Sequence, residues 1–455
     1  MMRLSEAAFA TRGQVVGADV EFCCVGTDSR AIKKGQLFVA LKGENFDGHE
    51  YTAQSLEQGA FAVLVSDPSN SGPAVVVKDT RLALGELASH WRAKFDMPVV
   101  AITGSNGKTT VKEMLAAILK VAAGDDESVL ATQGNLNNDI GLPMTMLSLG
   151  KQHCYAVLEM GMNHRGELSY LTGLAKPNVA LVNNAGTAHI GELGSLEAIA
   201  NAKGEIFGGL TDGGTAIINA DDVFADLWKN LASKHQQITF GLKEKADVTA
   251  KYELHAESSE VELIAPNGTV KFSLPAPGLH NVSNALAAST AALALNVSLE
   301  SIAIGLSNFA GVQGRLQAKQ GFAGAKVIDD TYNANPTSMK AAIDVLKASA
   351  GQRVFVMGDM AELGAGAASM HTEIGAYAKA AGMEKFLGLG ELTKNAVATF
   401  GEKAAHFETV EALAESLKQI MNDETTVLVK GSRSMRMERV VDSIQLAQTN
   451  TGGNH

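Results

Sequence analysis

The feature that most limits how this chain can fold is an alternation of short apolar, β-branched runs with stretches of helical periodicity. It begins at Met97 and restarts after about Gly314. Apolar runs at 98–103, 155–160, 179–183 and 215–219 are separated by helical patterns over 108–123 and from near Arg165, Ser195 and Asp222. Strands that alternate with helices of this length predict a parallel sheet covered on both faces. A second series at 326–330, 354–358, 385–389 and 426–430 predicts a second doubly wound unit. Ahead of both, residues 1–82 mix apolar runs (36–41, 60–65, 74–77) with turn residues, as a small α/β unit would. Between 247 and 274 the pattern changes to short alternating strands, an antiparallel annex, and Pro275-Ala-Pro-Gly278 breaks the chain before a helix at Asn281. The length of 455 residues agrees with this reading, since about 150 residues per domain gives roughly three. The expected architecture is α/β in three domains: a small N-terminal domain (1–82), a central parallel-sheet domain (83–313) and a Rossmann-like C-terminal domain (314–455).

Apolar residues make up 46% of the chain and charged residues 19%, which suits several buried cores and excludes disorder. The net charge is −11 and no Lys/Arg run occurs, so a nucleic-acid partner is excluded. Any phosphate must be held by local loops against an unfavourable overall field. Cys23 and Cys24 are adjacent and Cys154 is distant, which builds no disulfide framework. Buried free thiols in a reducing compartment are expected. Residues 1–12 carry Arg3, Glu6 and Arg12 and do not read as a signal peptide. The uncharged stretch 281–299 contains Asn281, Asn284, Ser289, Thr290 and Asn296, which suit a buried helix better than lipid. No membrane span is expected, the location is cytoplasmic, and the tail from Thr449 should fray.

The strongest local signal is Val99-Val-Ala-Ile-Thr-Gly104-Ser105-Asn106-Gly107-Lys108-Thr109-Thr110. An apolar strand runs into a glycine turn, and a helix begins at the lysine. Loop amides with a helix N-terminus behind them form a nest for phosphates. In such a loop Lys108 reaches the terminal phosphates of ATP and the Thr109 hydroxyl ligates Mg²⁺. The loop is shorter than the usual P-loop, because Ile102 stands where the first glycine would be. Glu159 ends a strand in Leu158-Glu-Met-Gly161 and is either solvated surface or a metal carboxylate beside that loop. His189 follows the next strand and reads as structural or as part of the same edge. Lys203 reads by default as an exposed helix lysine. Near the N-terminus, Ser29, Arg30, Lys42, Gly43, Asp47, Gly48 and His49 cluster around turns and offer either a diphosphate cradle or plain turn chemistry.

Together these pieces resemble the Mur ligase family, ATP-dependent amide-forming enzymes of peptidoglycan precursor synthesis. The resemblance runs through nearly the whole chain. It includes the 104–110 loop, Gly134-Asn-Leu-Asn137-Asn138-Asp-Ile-Gly-Leu-Pro143, the Glu159 strand end, Ala188-His189 and the Lys203 helix. It continues through His280-Asn281-Val-Ser-Asn284, Gly314-Arg315, Asp330 and Lys430-Gly-Ser-Arg433. Residues 329–339 and 356–364 resemble the branch that adds D-alanyl-D-alanine to a UDP-linked tripeptide. The Asp-Asn-Pro-Arg motif of the diamino-acid-adding branch is absent.

The resemblance implies a carbamate on Lys203, formed from CO₂, which with His189 helps hold a second Mg²⁺. It also implies that Asn281 contacts adenine and that Arg315 and Asp330 reach the nucleotide across the domain gap. Asn137 and Asn138 then face the UDP-linked substrate, UDP-MurNAc-tripeptide, and Tyr332, Asn333 and Asn335 lie near the dipeptide D-Ala-D-Ala. ATP would phosphorylate the tripeptide carboxylate, and the dipeptide amine would displace the phosphate, in a monomeric enzyme that closes about hinges near 82 and 313. A sibling ligase adding one amino acid to a UDP-linked dipeptide, and a P-loop NTPase switch without ligase chemistry, are the competing readings.

Overall fold

The computed structural model describes residues 1–67, 72–187 and 190–446. His189 and the tail from Thr449 lie outside the described residues. In the N-terminal unit a five-stranded sheet runs Gln14–Val16, Ala74–Val76, Ala62–Val65, Gln36–Val39, Cys24–Gly26. Only the first pairing in that order is antiparallel. The central sheet is parallel throughout, in the order Gln236–Phe240, Thr215–Asn219, Val179–Val182, Val99–Thr103, Tyr155–Glu159, Val129–Ala131. The strand Val99–Thr103 comes first in the chain and lies inside the sheet, so the connections that follow it leave in opposite directions. That switch point is where an open α/β sheet binds its ligand, beyond the carboxyl ends of the strands.

The helix Lys108–Ala123 forms because Val111, Met114, Leu115, Ile118 and Leu119 repeat at helical spacing, and all are fully buried. Gly124, at φ +73°, ends it in the left-handed conformation. Each such side chain contributes about 1.5–3 kcal/mol on burial. The helices Leu279–Ala294 and Leu299–Ser307 pack against it on one face of the sheet. Ser289 and Thr290 of the former are fully buried, as a core helix allows. Gly305 sits so close to this neighbour that a Cβ would lie 2.5 Å from the Ile118 Cα. Gly305→Ala must push the two helices apart and is expected to cost about 1–3 kcal/mol, read as a lower urea midpoint; an unchanged midpoint would contradict the packing.

The annex is a three-stranded antiparallel sheet, Thr249–Leu254, Ser259–Ala265 and Gly268–Leu274. The C-terminal sheet runs Gln317–Gln320, Lys326–Asp330, Thr425–Lys430, Gln352–Gly358, Lys385–Leu389, Ala404–Phe407, with only the first strand antiparallel.

Three sequence expectations change. The boundary read at residue 82 falls in the first turn of the helix Thr80–Arg92, whose Leu84 and Leu87 belong to a core shared with Leu142, Met146 and Leu171 of the central unit. The helices expected near Arg165 and Asp222 start slightly later, at Glu167 and Ala225; before the second, the Asp222 carboxylate accepts from Ala185 N–H and Phe224 N–H. The thiols of Cys23 and Cys154 are exposed and that of Cys24 half-buried, since Cys23 and Cys154 flank strands rather than sit inside them. Among the described residues no helix is long and apolar enough to cross a membrane.

Candidate active site

The strand Val99–Thr103 is buried along its whole length and delivers the loop 104–107 to the switch point. The loop is shaped from outside by the segment after the neighbouring strand. Ser105 N–H donates to the Asn184 carbonyl (3.0 Å) and Asn106 N–H to Asn184 Oδ1 (2.9 Å). The amides of Asn183 and Asn184 both donate to the Asn106 carbonyl at 3.0 Å. Gly107 has φ +80° and begins the helix with no side-chain cap. The first amides of that helix are therefore left for a ligand to satisfy. Lys108 Nζ is folded back on the Gly104 carbonyl at 2.7 Å. Burial pushes this lysine below its ordinary value; the Glu159 carboxylate opposes that and the Arg315 guanidinium adds to it.

Glu159 closes its strand almost fully buried, at 2% exposure. Its Oε1 accepts from Asn137 Nδ2 at 2.8 Å, while its Oε2 is buried with no hydrogen-bond partner. An ionised oxygen in that position is costly unless a cation meets it. Lys203 is equally buried, at 2%. The expectation of a solvated helix lysine is overturned, because the helix Leu196–Gly204 turns this side chain into the central unit. Burial drives its amine well below the ordinary lysine value, and the nearby Lys108 charge adds to the effect.

The C-terminal unit closes the site from the other side. Arg315 Nη2 donates to the Thr109 hydroxyl at 3.0 Å, and its guanidinium lies 4.4 Å from the Tyr332 ring centre. Asn335 Nδ2 donates to Asn106 Oδ1 at 2.7 Å, while Asn335 Oδ1 caps the helix Pro336–Lys347. Asp330 is paired with Lys430 at 2.7 Å, and Lys430 also donates to the Asn333 carbonyl at 2.8 Å.

These groups line two adjoining cavities. One, of about 790 Å³, brings together Ser105, Lys108, Asn137, Asn138, Glu159, Lys203, Tyr332, Asn333 and Asn335. The other, of about 690 Å³, takes in Thr110 and Asn281. Asn106, Gly107, Arg315 and Asp330 border both. The Asn281 amide is engaged in its own neighbourhood, donating to the Pro277 carbonyl at 2.8 Å.

The N-terminal candidates stand apart. Ser29, Arg30, Lys42, Gly43, Asp47, Gly48 and His49 line neither cavity. Arg30 is turned onto Asp28 at 2.9 Å. The Asp47 carboxylate accepts from His49 N–H (3.0 Å) and Nδ1 (2.6 Å), contacts that hold it at about 2. Ser66 N–H donates to His49 Nε2 at 2.9 Å, which builds the ring into the turn.

Sequence reading missed Asn183, Asn184, Asn284 and Lys430 as site residues. Lys430 and Asn284 stand within quoted motifs, and that was the available signal.

Three family models match the chain in order: Mur ligase family, catalytic domain (21–92), Mur ligase middle domain (102–292) and Mur ligase, glutamate ligase domain (314–433). A relative from Escherichia coli (strain K12), the UDP-N-acetylmuramoyl-tripeptide–D-alanyl-D-alanine ligase, is 44% identical over 97% of this chain and 98% of its own. The chain belongs to the Mur ligase family. Among Mur ligases of known structure, MurF from Acinetobacter baumannii superposes with a TM-score of 0.91 at 40% identity, covering 96% of this chain and 97% of that one. The MurF ligase from Thermotoga maritima in complex with ADP gives 0.82 at 28% identity, covering 92% and 96%.

Proposed function

We propose that this Mur ligase is the ATP-dependent enzyme joining D-alanyl-D-alanine to UDP-N-acetylmuramoyl-tripeptide in cytoplasmic precursor synthesis. The observation that carries the reading is the larger cavity. It puts the phosphate-loop lysine, the unpartnered Glu159 oxygen and buried Lys203 on one wall, and Tyr332, Asn333 and Asn335 of the C-terminal unit on the other. Both walls come from one chain, which suits a monomer.

We assign UDP to the N-terminal unit, ATP to the central unit and the dipeptide to the C-terminal unit. The tripeptide carboxylate attacks the terminal phosphoryl group of ATP; the P–O bond to ADP breaks and an acyl phosphate forms. The dipeptide amine then attacks that carbonyl, and phosphate leaves as the amide bond is made. Anion must meet anion in the first step, so the chain's work is charge neutralisation and alignment. Lys108 faces the transferred phosphoryl group, Arg315 and Asp330 grip the nucleotide from the C-terminal side, and Asn281 serves the adenine.

The donor set fits Mg²⁺, which usually takes one or two carboxylates and completes its shell with phosphates and water. Glu159 and Thr109 would hold one ion, and His189 with carbamylated Lys203 a second; bound, they neutralise phosphate charge. The carbamate fits the burial of Lys203. CO₂ adds to the neutral amine: a C–N bond forms as one C=O π bond opens, a proton leaves the nitrogen, and the buried neutral amine becomes an anion.

The test is phosphate release by the purified protein. Release should require UDP-tripeptide and D-Ala-D-Ala together. Release that ignores both substrates would instead mark an NTPase switch, and release requiring UDP-dipeptide and a diamino acid would mark the sibling ligase.

A further inference from the structure

Lys112 lies one turn beyond Lys108 on the phosphate-loop helix and is fully buried, at 0% exposure. On a face otherwise filled by Val111, Leu115 and Leu119, an apolar residue would pack without the cost of desolvating an ammonium. The ammonium has definite work. Its Nζ donates to the Thr132 carbonyl at 2.5 Å and pairs with Glu113 Oε1 at 2.6 Å. Thr132 stands just after the strand Val129–Ala131 and is itself buried. Its N–H donates to the Val157 carbonyl, and its hydroxyl accepts the N–H of Glu159, each at 3.0 Å. The chain leaving Thr132 then supplies Asn137, whose amide holds Glu159 Oε1.

We propose that Lys112 is a positioning residue which, through Thr132, fixes the Glu159 carboxylate against the phosphate loop so that its free oxygen is presented to a divalent cation. The inference rests on the reading of Glu159 as a metal carboxylate. Lys112 touches neither nucleotide nor metal; it sets the distance between the helix that carries Lys108 and Thr109 and the strand end that carries Glu159. Outer groups that orient a ligating carboxylate typically cost about 10–100-fold in metal affinity when removed.

The test uses the full chain with ADP and Mn²⁺ as a paramagnetic probe, titrated by electron paramagnetic resonance. Lys112→Met keeps the stem and deletes the ammonium, and should weaken Mn²⁺ binding by about 10–100-fold while affinity for the UDP-linked substrate stays at the parent's value. Lys112→Arg, which keeps a donor, should recover part of the loss. Thr132→Val interrupts the same path without touching Lys112 and should weaken Mn²⁺ in the same direction. Should Lys112→Met fail to fold, that variant decides. Parental Mn²⁺ affinity in a folded Lys112→Met or in Thr132→Val overturns the proposal, as does an equal loss of UDP-substrate affinity. Glu159→Gln separates the two layers. If it binds Mn²⁺ like the parent, the metal reading itself fails. If it loses Mn²⁺ while the Lys112 and Thr132 variants do not, only the positioning role fails.

Discussion

Lys203→Ala is expected to lower turnover by about 100–1,000-fold or more while leaving the fold intact. The lysine is buried at 2% beside the Lys108 charge, and burial weighs against its ammonium form. Removing it deletes a group the fold holds at a cost, so the loss belongs to chemistry and the melting temperature should not fall. The space left by the stem invites rescue, and acetate or a similar short carboxylic acid should restore part of the activity by supplying the missing anion. Lys203→Arg refills the space with a guanidinium that takes up no CO₂, and should remain inactive. Labelling with isotopic bicarbonate should give a carbamate resonance in the parent that Lys203→Ala lacks. Full activity in the alanine variant would sink the carbamate assignment.

The same burial has a sign in pH. Without CO₂ the folded protein binds fewer protons at this site than the unfolded chain does, at pH values between the lowered and the ordinary lysine pKa. Stability should therefore rise with pH across that window. Thermal melts of CO₂-depleted protein check this, and Lys203→Ala should flatten the rise.

The second large effect is expected at Gly107. Its φ of +80° is one that side-chain-bearing residues adopt at a cost of about 1–2 kcal/mol. A Cβ there would lie 2.3 Å from Asn284 Oδ1 and 2.6 Å from Asn183 Nδ2. Gly107→Ala must therefore break the 3.0 Å bond between those asparagines, and with it the support under the Asn106 carbonyl. Nucleotide affinity should fall by about 10–100-fold, a loss of about 1–3 kcal/mol of alignment and hydrogen bonding, measured by titration calorimetry with ADP. Gly124→Ala is the control, since Gly124 has a similar φ of +73° with nothing within 4 Å of a Cβ. It should lose stability without losing nucleotide. Equal ADP affinity in Gly107→Ala and the parent would refute the account of the loop.

Much of this architecture is legible in the residues, and the part that is not has a physical pattern. The helix at 108–123 and the strands at 215–219, 326–330 and 385–389 agree with the structure to the residue, because each buries a continuous apolar surface. Gln236–Phe240, Val129–Ala131, Gln317–Gln320 and Ala404–Phe407 escape sequence reading, and they are the edges of the two six-stranded sheets. An edge strand is wetted on one side and carries residues such as Gln236 and Gln237, both exposed, which no apolar pattern betrays. The site divides similarly. Lys108 announces itself through the glycine turn before it. Asn183 meets Asn284 across 101 residues of chain and Asn106 across 77, and the partner of a lone asparagine is invisible until the chain is folded. Spacing alone leaves Lys203 a surface lysine, because its burial depends on what packs over its helix, and only the family resemblance singles it out.

The bond from Arg315 to the Thr109 hydroxyl, at 3.0 Å, places a side-chain cation against an oxygen assigned to a divalent one. It joins residues 206 positions apart in the chain, so the C-terminal unit is tied to the first turn of the helix that carries Lys108.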